Sequence, residues 1–190
     1  MKILTAEKQQ AGIIARLIMT AMTDDCCLYF AGKEHTLDDF RNMMTALVER
    51  DDSQYSYRNT LVATDDEGNV TGAIVAYDGA LLHKLRAAFI NAAKEYLGRD
   101  FSLMADETQE GEIYIDSLAV LPRHRGQGIA TALLKALIGK AAKEGHNTVG
   151  LLVDKGNPNA ERLYKSVGFR YANDTAWGSH PMKHLVYKLA

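Results

Sequence analysis

A strand pattern that runs through a glycine-rich turn straight into a helix restricts the fold more than any other feature of these 190 residues. The stretch reads Leu118-Ala119-Val120-Leu121-Pro122-Arg123-His124-Arg125-Gly126-Gln127-Gly128-Ile129-Ala130. Pro122 ends the strand pattern of 112–121, and Ile129, Leu133, Leu134, Leu137 and Ile138 then recur at helical spacing over 128–143. Glycine permits positive φ and close backbone approach. The first N–H groups of a helix lack internal partners and sit at the positive end of its dipole. Such a turn suits a pyrophosphate, and Arg125 adds charge. Gly-x-Gly alone also makes an ordinary tight turn. The full Gly-x-Gly-x-x-Gly is absent, the turn comes late in the chain and no Gly-Lys-Ser/Thr follows, which sets aside the Rossmann and P-loop folds.

Around this segment, periodicity predicts a strand at 2–5, a helix carrying Ile13, Ile14, Leu17, Ile18, Ala21 and Met22, and a loop over 24–35. Thr36 caps a further helix with Phe40, Met43, Met44, Leu47 and Val48 on one stripe. Strands at 60–64 and 70–77 flank a Gly-Asn turn, and 80–97 forms a strongly striped helix stopped by Gly98. A strand at 149–153, a helix at 157–166 and strands at 168–172 and 182–189 complete the chain. This order describes a mixed α/β sheet with helices on both faces, in one domain spanning 1–190.

The formal charge of -2 supplies no broad positive field for nucleic acid or anionic lipid, so neither is expected as a partner. Cys26 and Cys27 are adjacent and the histidines do not cluster, so neither a disulfide framework nor a metal site is expected. The chain opens without the apolar run of a signal peptide and has no stretch long enough to span a bilayer, which together with its thiols points to a cytoplasmic protein.

Two motifs together carry a family resemblance. Arg125-Gly126-Gln127-Gly128-Ile129-Ala130 fits Gln/Arg-x-x-Gly-x-Gly/Ala, and Asn157, Ala160, Leu163, Tyr164, Gly168 and Phe169 fit Asn-x-x-Ala-x-x-Leu-Tyr-x-x-x-Gly-Phe with all spacings kept. The chain thus resembles the GNAT superfamily of N-acetyltransferases, specifically over 112–171. The resemblance implies a central, mostly antiparallel sheet with one splayed parallel pair, and acetyl-CoA as cosubstrate. It implies that main-chain groups of Leu118, Ala119 and Val120 pair with the pantetheine arm. Arg125 opens the loop in which Gly126, Gln127, Gly128, Ile129, Ala130 and Thr131 cradle the pyrophosphate. Asn157 hydrogen-bonds the pantetheine from the far side of the splay, Tyr164 faces the thioester sulfur, and a backbone N–H near Val120 stabilises the oxyanion.

Acetyl transfer needs an unprotonated amine, a polarised carbonyl and a proton for the departing thiolate. Tyr164, with a hydroxyl of ordinary pKa about 10, suits the last role. For the base, Tyr114 stands where the histone-acetyltransferase branch has a glutamate. Glu112 and Asp116 share its face by two-residue alternation unless a bulge intervenes, and either could act through a water. An amine that sheds its own proton in a low-dielectric pocket needs no base. Trp177, read as part of a loop over 173–181, either lines the acceptor pocket or packs.

Family members usually have a short turn where this chain carries an insertion at about 79–111, ending in Asp106-Glu107-Thr108-Gln109-Glu110. Either it covers the acceptor site and favours a cationic amine, or its apolar stripe packs on the sheet or on a second copy in a homodimer. The leading expectation is direct transfer in a ternary complex to a primary amine of a small molecule or peptide. The other is a non-catalytic acyl-CoA-binding sensor or interaction module.

Overall fold

Runs rich in β-branched residues and alanine build the centre of the protein, whose computed structural model describes residues 1–178 and 180–189. The strands β1 (Lys2–Thr5), β2 (Thr60–Thr64), β3 (Val70–Asp78), β4 (Ile113–Val120), β5 (Thr148–Asp154), β6 (Arg170–Trp177) and β7 (His180–Lys188) form a seven-stranded sheet in the order β1-β2-β3-β4-β5-β7-β6. β4 and β5 are parallel, and the other described neighbours are antiparallel. The mixed sheet has helices on both faces, as the resemblance implied.

On one face lie α1 (Ala11–Met22), α2 (Asp24–Ala31), α3 (Leu37–Glu49) and α4 (Leu82–Leu97), packed as one apolar layer over β2, β3 and β4. A reciprocal capping box starts α3, with Thr36 Oγ1 accepting from Asp39 N and Asp39 Oδ2 accepting from Thr36 N. On the other face α5 (Ile129–Lys143) and α6 (Pro158–Val167) cover β2–β5 through Leu133, Leu134, Leu137 and Leu163, with Phe169 following α6 into the same layer.

Two local expectations are corrected. Residues 24–31 are helical, not a loop: Cys27, Phe30 and Ala31 are buried at i, i+3 and i+4, and Phe30 sits among Phe40, Phe89, Phe101 and Trp177. Tertiary packing makes a helix from residues of modest helix propensity. Trp177 ends β6 instead of lying in a loop, because pairing with β7 extends β6 past 172. The expected loop over 173–181 also includes Ser179, which lies outside the described residues. The 80–97 stripe does turn inward through Leu82, Leu85, Ala88, Phe89, Ala93 and Leu97, while Leu81 and Tyr96 stay exposed.

Candidate active site

The site begins where β4 and β5 part. They pair only from Ile113 to Ile115 against Val149 to Leu151. Past that point β4 follows β3 as far as Val120 while β5 follows β7 as far as Asp154. The inner edges of Asp116–Val120 and Leu152–Asp154 therefore lack strand partners, and buried backbone groups require a hydrogen-bonding partner. The family resemblance expects an amide-bearing arm along this edge, at Leu118, Ala119 and Val120.

The glycine turn follows directly. Gly126 and Gly128 have φ of 75° and 77°, and Gly128 is the N-cap of α5 without a side-chain cap. The first N–H groups of α5, at Ile129, Ala130 and Thr131, are thus open to an anion. Arg125 Nε donates to Val120 O at 3.2 Å, tying the turn to the end of β4. One hollow beside the turn, of about 220 Å³, is lined by Asp65, Thr71, His124 and Gln127. Another, of about 380 Å³, is lined by Ile13, Arg16, Leu121, Pro122 and Arg123. Arg16 and Arg123 add positive charge that reading the motif alone does not identify.

On the other side of the gap, Asn157 caps α6, its Oδ1 accepting from Ala160 N at 3.1 Å. Its Nδ2 remains a donor for an amide carbonyl. Tyr164 is half-buried on α6, edge-on to Phe169, and burial alone pushes its hydroxyl up to about 12.

The bulge allowed for in the sequence occurs at Asp116. Val75 pairs with Ser117 but Ala76 with Ile115, so Asp116 has no partner on β3. The extra residue resets the alternation. Leu118 and Val120 pack in the α5–α6 layer, whereas Asp116 stays with Glu112 and Tyr114 on the α1–α4 face. Ser117 Oγ donates to Asp116 Oδ1 at 2.8 Å and Gln54 Nε2 to Asp116 Oδ2 at 3.2 Å. Burial, then the carboxylate of Glu107, raises the Asp116 carboxyl to about 6, against hydrogen bonds from Ser117 and Gln54.

Glu112 is placed differently. Its Oε1 accepts from Thr108 Oγ1 at 2.7 Å and its Oε2 from His184 Nε2 at 2.8 Å. The two candidate carboxylates thus have separate surroundings: Glu112 is held in a buried side-chain cluster, while Asp116 keeps some exposed surface at the gap. Tyr114 lies among them all, its hydroxyl pushed far up by burial and then by Asp116, Glu107, Glu112 and Tyr164. Trp177 packs on Phe30 with ring centroids 6.0 Å apart, and its Nε1 is buried without a partner among the described residues. Among the described residues no group of three or more His, Cys, Asp or Glu is arranged to hold a metal, and no helix is long and apolar enough to cross a membrane.

Sequence and structure comparisons agree with this geometry. The profile of the acetyltransferase (GNAT) family matches residues 22–169. The chain is 34% identical over 91 residues to the [Ribosomal protein bS18]-alanine N-acetyltransferase of Haemophilus ducreyi, a match that spans 48% of this chain and 63% of that relative's length. A crystal structure of an acetyltransferase superposes with a TM-score of 0.82 at 27% identity, covering 100% of both chains. An N-acetyltransferase from Staphylococcus aureus Mu50 gives 0.82 at 25% identity, covering 98% of this chain and 100% of its own. With its profile match across most of the sequence and its splayed strand pair above a glycine turn, this chain belongs to the GNAT acetyltransferase family.

Proposed function

We propose that the protein transfers the acetyl group of acetyl-CoA directly to a primary amine on a small molecule or a peptide. The observation that carries this reading is the parting of β4 and β5 after Ile115 and Leu151, with the Gly126–Gly128 turn beyond the end of β4. Acetyl-CoA supplies an activated acetyl group. Its diphosphate fits the N-terminus of α5, and its amide-bearing arm fits the unpaired edges of Leu118, Ala119 and Val120 and the free Nδ2 of Asn157. In this reading a backbone N–H near Val120 donates to the carbonyl oxygen as negative charge gathers there.

Asp116 approaches the gap from the α1–α4 face and Tyr164 belongs to the α5–α6 layer. A bond between nitrogen and the carbonyl carbon forms as the carbon–sulfur bond breaks. Asp116 takes the proton the nitrogen loses, directly or through a water, and Tyr164 gives one to the departing sulfur. Exchange with solvent restores both. A carboxyl raised to about 6 is ionised yet basic near neutral pH, where general-base catalysis is most effective. An acyl-cysteine route finds no support: burial raises both thiols, Cys27 to about 12, so thiolate is scarce. Glu112, enclosed by Thr108 and His184, serves the structure in this reading.

Calorimetric titration with acetyl-CoA, followed by free-thiol release against a panel of amines, tests the proposal. Binding with amine-dependent release is expected. Binding without release would favour the acyl-CoA sensor, and no binding would overturn the cofactor assignment.

A further inference from the structure

The segment between β3 and β4 reaches the candidate base through a chain of buried side chains. Arg86, from α4, donates to Met104 O and Ala105 O at 3.1 Å each, to Asp106 Oδ1 at 3.0 Å, and to Glu107 Oε2. These contacts fold the stretch after α4 back over the sheet and bury Glu107. Glu107 Oε1 then accepts from Tyr77 Oη at 3.1 Å and from Gln54 Nε2 at 3.3 Å. The same Gln54 Nε2 donates to Asp116 Oδ2 at 3.2 Å. One amide nitrogen therefore links the inserted segment to the bulge.

The orientation of that amide is informative. A carboxylate only accepts hydrogen bonds, so Nε2 is the end that faces both acids, and Oε1 is left buried without a partner among the described residues. An unsatisfied buried acceptor is costly, and an amide that served packing alone would gain nothing by bearing that cost between two carboxylates. Around Asp116 the other facing groups are the hydroxyls of Tyr55, Tyr77 and Tyr114, all pushed far up by burial and so neutral, the hydroxyl of Ser117, and the cation of Arg86. Glu112 and, from α6, Tyr164 act on Tyr114. Glu107 is the foremost like charge acting on Asp116 among the described residues.

We propose that Glu107 and Gln54 are positioning residues, brought together by the inserted segment, that hold the Asp116 carboxylate at the bulge and set its readiness to accept the amine's proton. The inference rests on the reading of Asp116 as the base. Glu107 supplies a like charge, Arg86 holds Glu107 in place, and Gln54 supplies a donor that favours the ionised form of Asp116. The insertion thus acts on the chemistry as well as on packing.

The test is a titration of the whole protein with isotope-labelled aspartate carboxyl groups, followed by nuclear magnetic resonance. The Asp116 signal is assigned by its loss in Asp116→Asn. Glu107→Gln is expected to move the Asp116 midpoint down by about one unit, and Gln54→Met to move it up by about half a unit. Opposite shifts are the signature, since loosened packing alone would move both midpoints the same way or neither. Unmoved midpoints, or shifts of the same sign, would overturn the proposal. If Glu107→Gln fails to fold in a melting experiment, the sign in Gln54→Met decides. The parent reading is tested separately by the pH profile of thiol release with two probes, spermidine and a peptide with a free N-terminal alanine. A profile unchanged in Asp116→Asn would refute the base while leaving the nuclear magnetic resonance result intact.

Discussion

His184 Nε2 donates to Glu112 Oε2 at 2.8 Å, a contact that reaches from β7 across β5 to the foot of β4. Gly150 makes the crossing possible, because a Cβ there would occupy the space of the Glu112 carboxylate. Thr108 holds the other oxygen, and both partners of the hydrogen bond are buried.

Glu112→Ala is therefore expected to remove about 3 kcal/mol of stability, because it leaves buried His184 and Thr108 without their acceptor. Gly150→Ala should cost a similar amount by displacing the carboxylate. Urea unfolding measures both, and acetyl-CoA affinity should not change. Loss of turnover at full stability would instead place Glu112 in the chemistry.

In the proposed mechanism Asp116 sets the acidic limb of the rate profile. The base must be ionised to accept a proton, so turnover should rise with pH through about 6 and level off above it. Asp116→Asn should lower turnover by about 100-fold and abolish that limb. Its effect on stability has the opposite sign. The folded-state carboxyl is raised above its ordinary value of 3.8, so ionising it in place costs folding energy that is present above about 6 and relieved as pH falls. Unfolding followed at pH 5 and pH 8 should show the variant gaining on the native protein at the higher value.

Tyr164→Phe should lower turnover by about 10- to 100-fold with unchanged acetyl-CoA affinity and little change in melting temperature. Burial alone shifts the hydroxyl, so little packing or polar contact should be lost with it. Because that hydroxyl is pushed up to about 12, the native rate should show no alkaline limb from Tyr164 at or below pH 10. Undiminished thiol release in Tyr164→Phe would remove its role as acid.

Gly128→Ala isolates the turn. Nothing lies within 4 Å of a Cβ built there, so the penalty is the backbone angle of φ 77° at the helix start. About 1 kcal/mol of stability should be lost. Acetyl-CoA should bind roughly 10-fold more weakly as the N–H groups of α5 are displaced, which calorimetry will read. Unchanged affinity would move the diphosphate away from this turn.

What could be read in the sequence was local. The turn from Arg125 to Ala130 and the helix led by Asn157 are set by residues within about one helical turn of each other, so spacing reports them directly. Other parts depend on contacts between distant residues. The helix Asp24–Ala31 exists because Phe30 is enclosed by Phe89, Phe101 and Trp177. The bulge at Asp116 is fixed by the register of β3, which alternation along β4 cannot reveal. His184 meets Glu112 from 72 positions away, and Gln54 meets Asp116 from 62, so neither partnership leaves a periodic signal. The histidines looked unclustered for the same reason. Only the antiparallel pairing of β7 with β5 brings one of them to the base of β4.

Fate of the acetyl group is the most direct test of the whole account. Native protein is mixed with acetyl-CoA radiolabelled in its acetyl carbon and with a mixture of primary amines, and the label is followed as free CoA is counted. Label is expected to pass to an N-acetylated amine in equal amount to the CoA released, with none retained on the protein. Bound acetyl-CoA whose label reaches no amine, or reaches the protein itself, would contradict it.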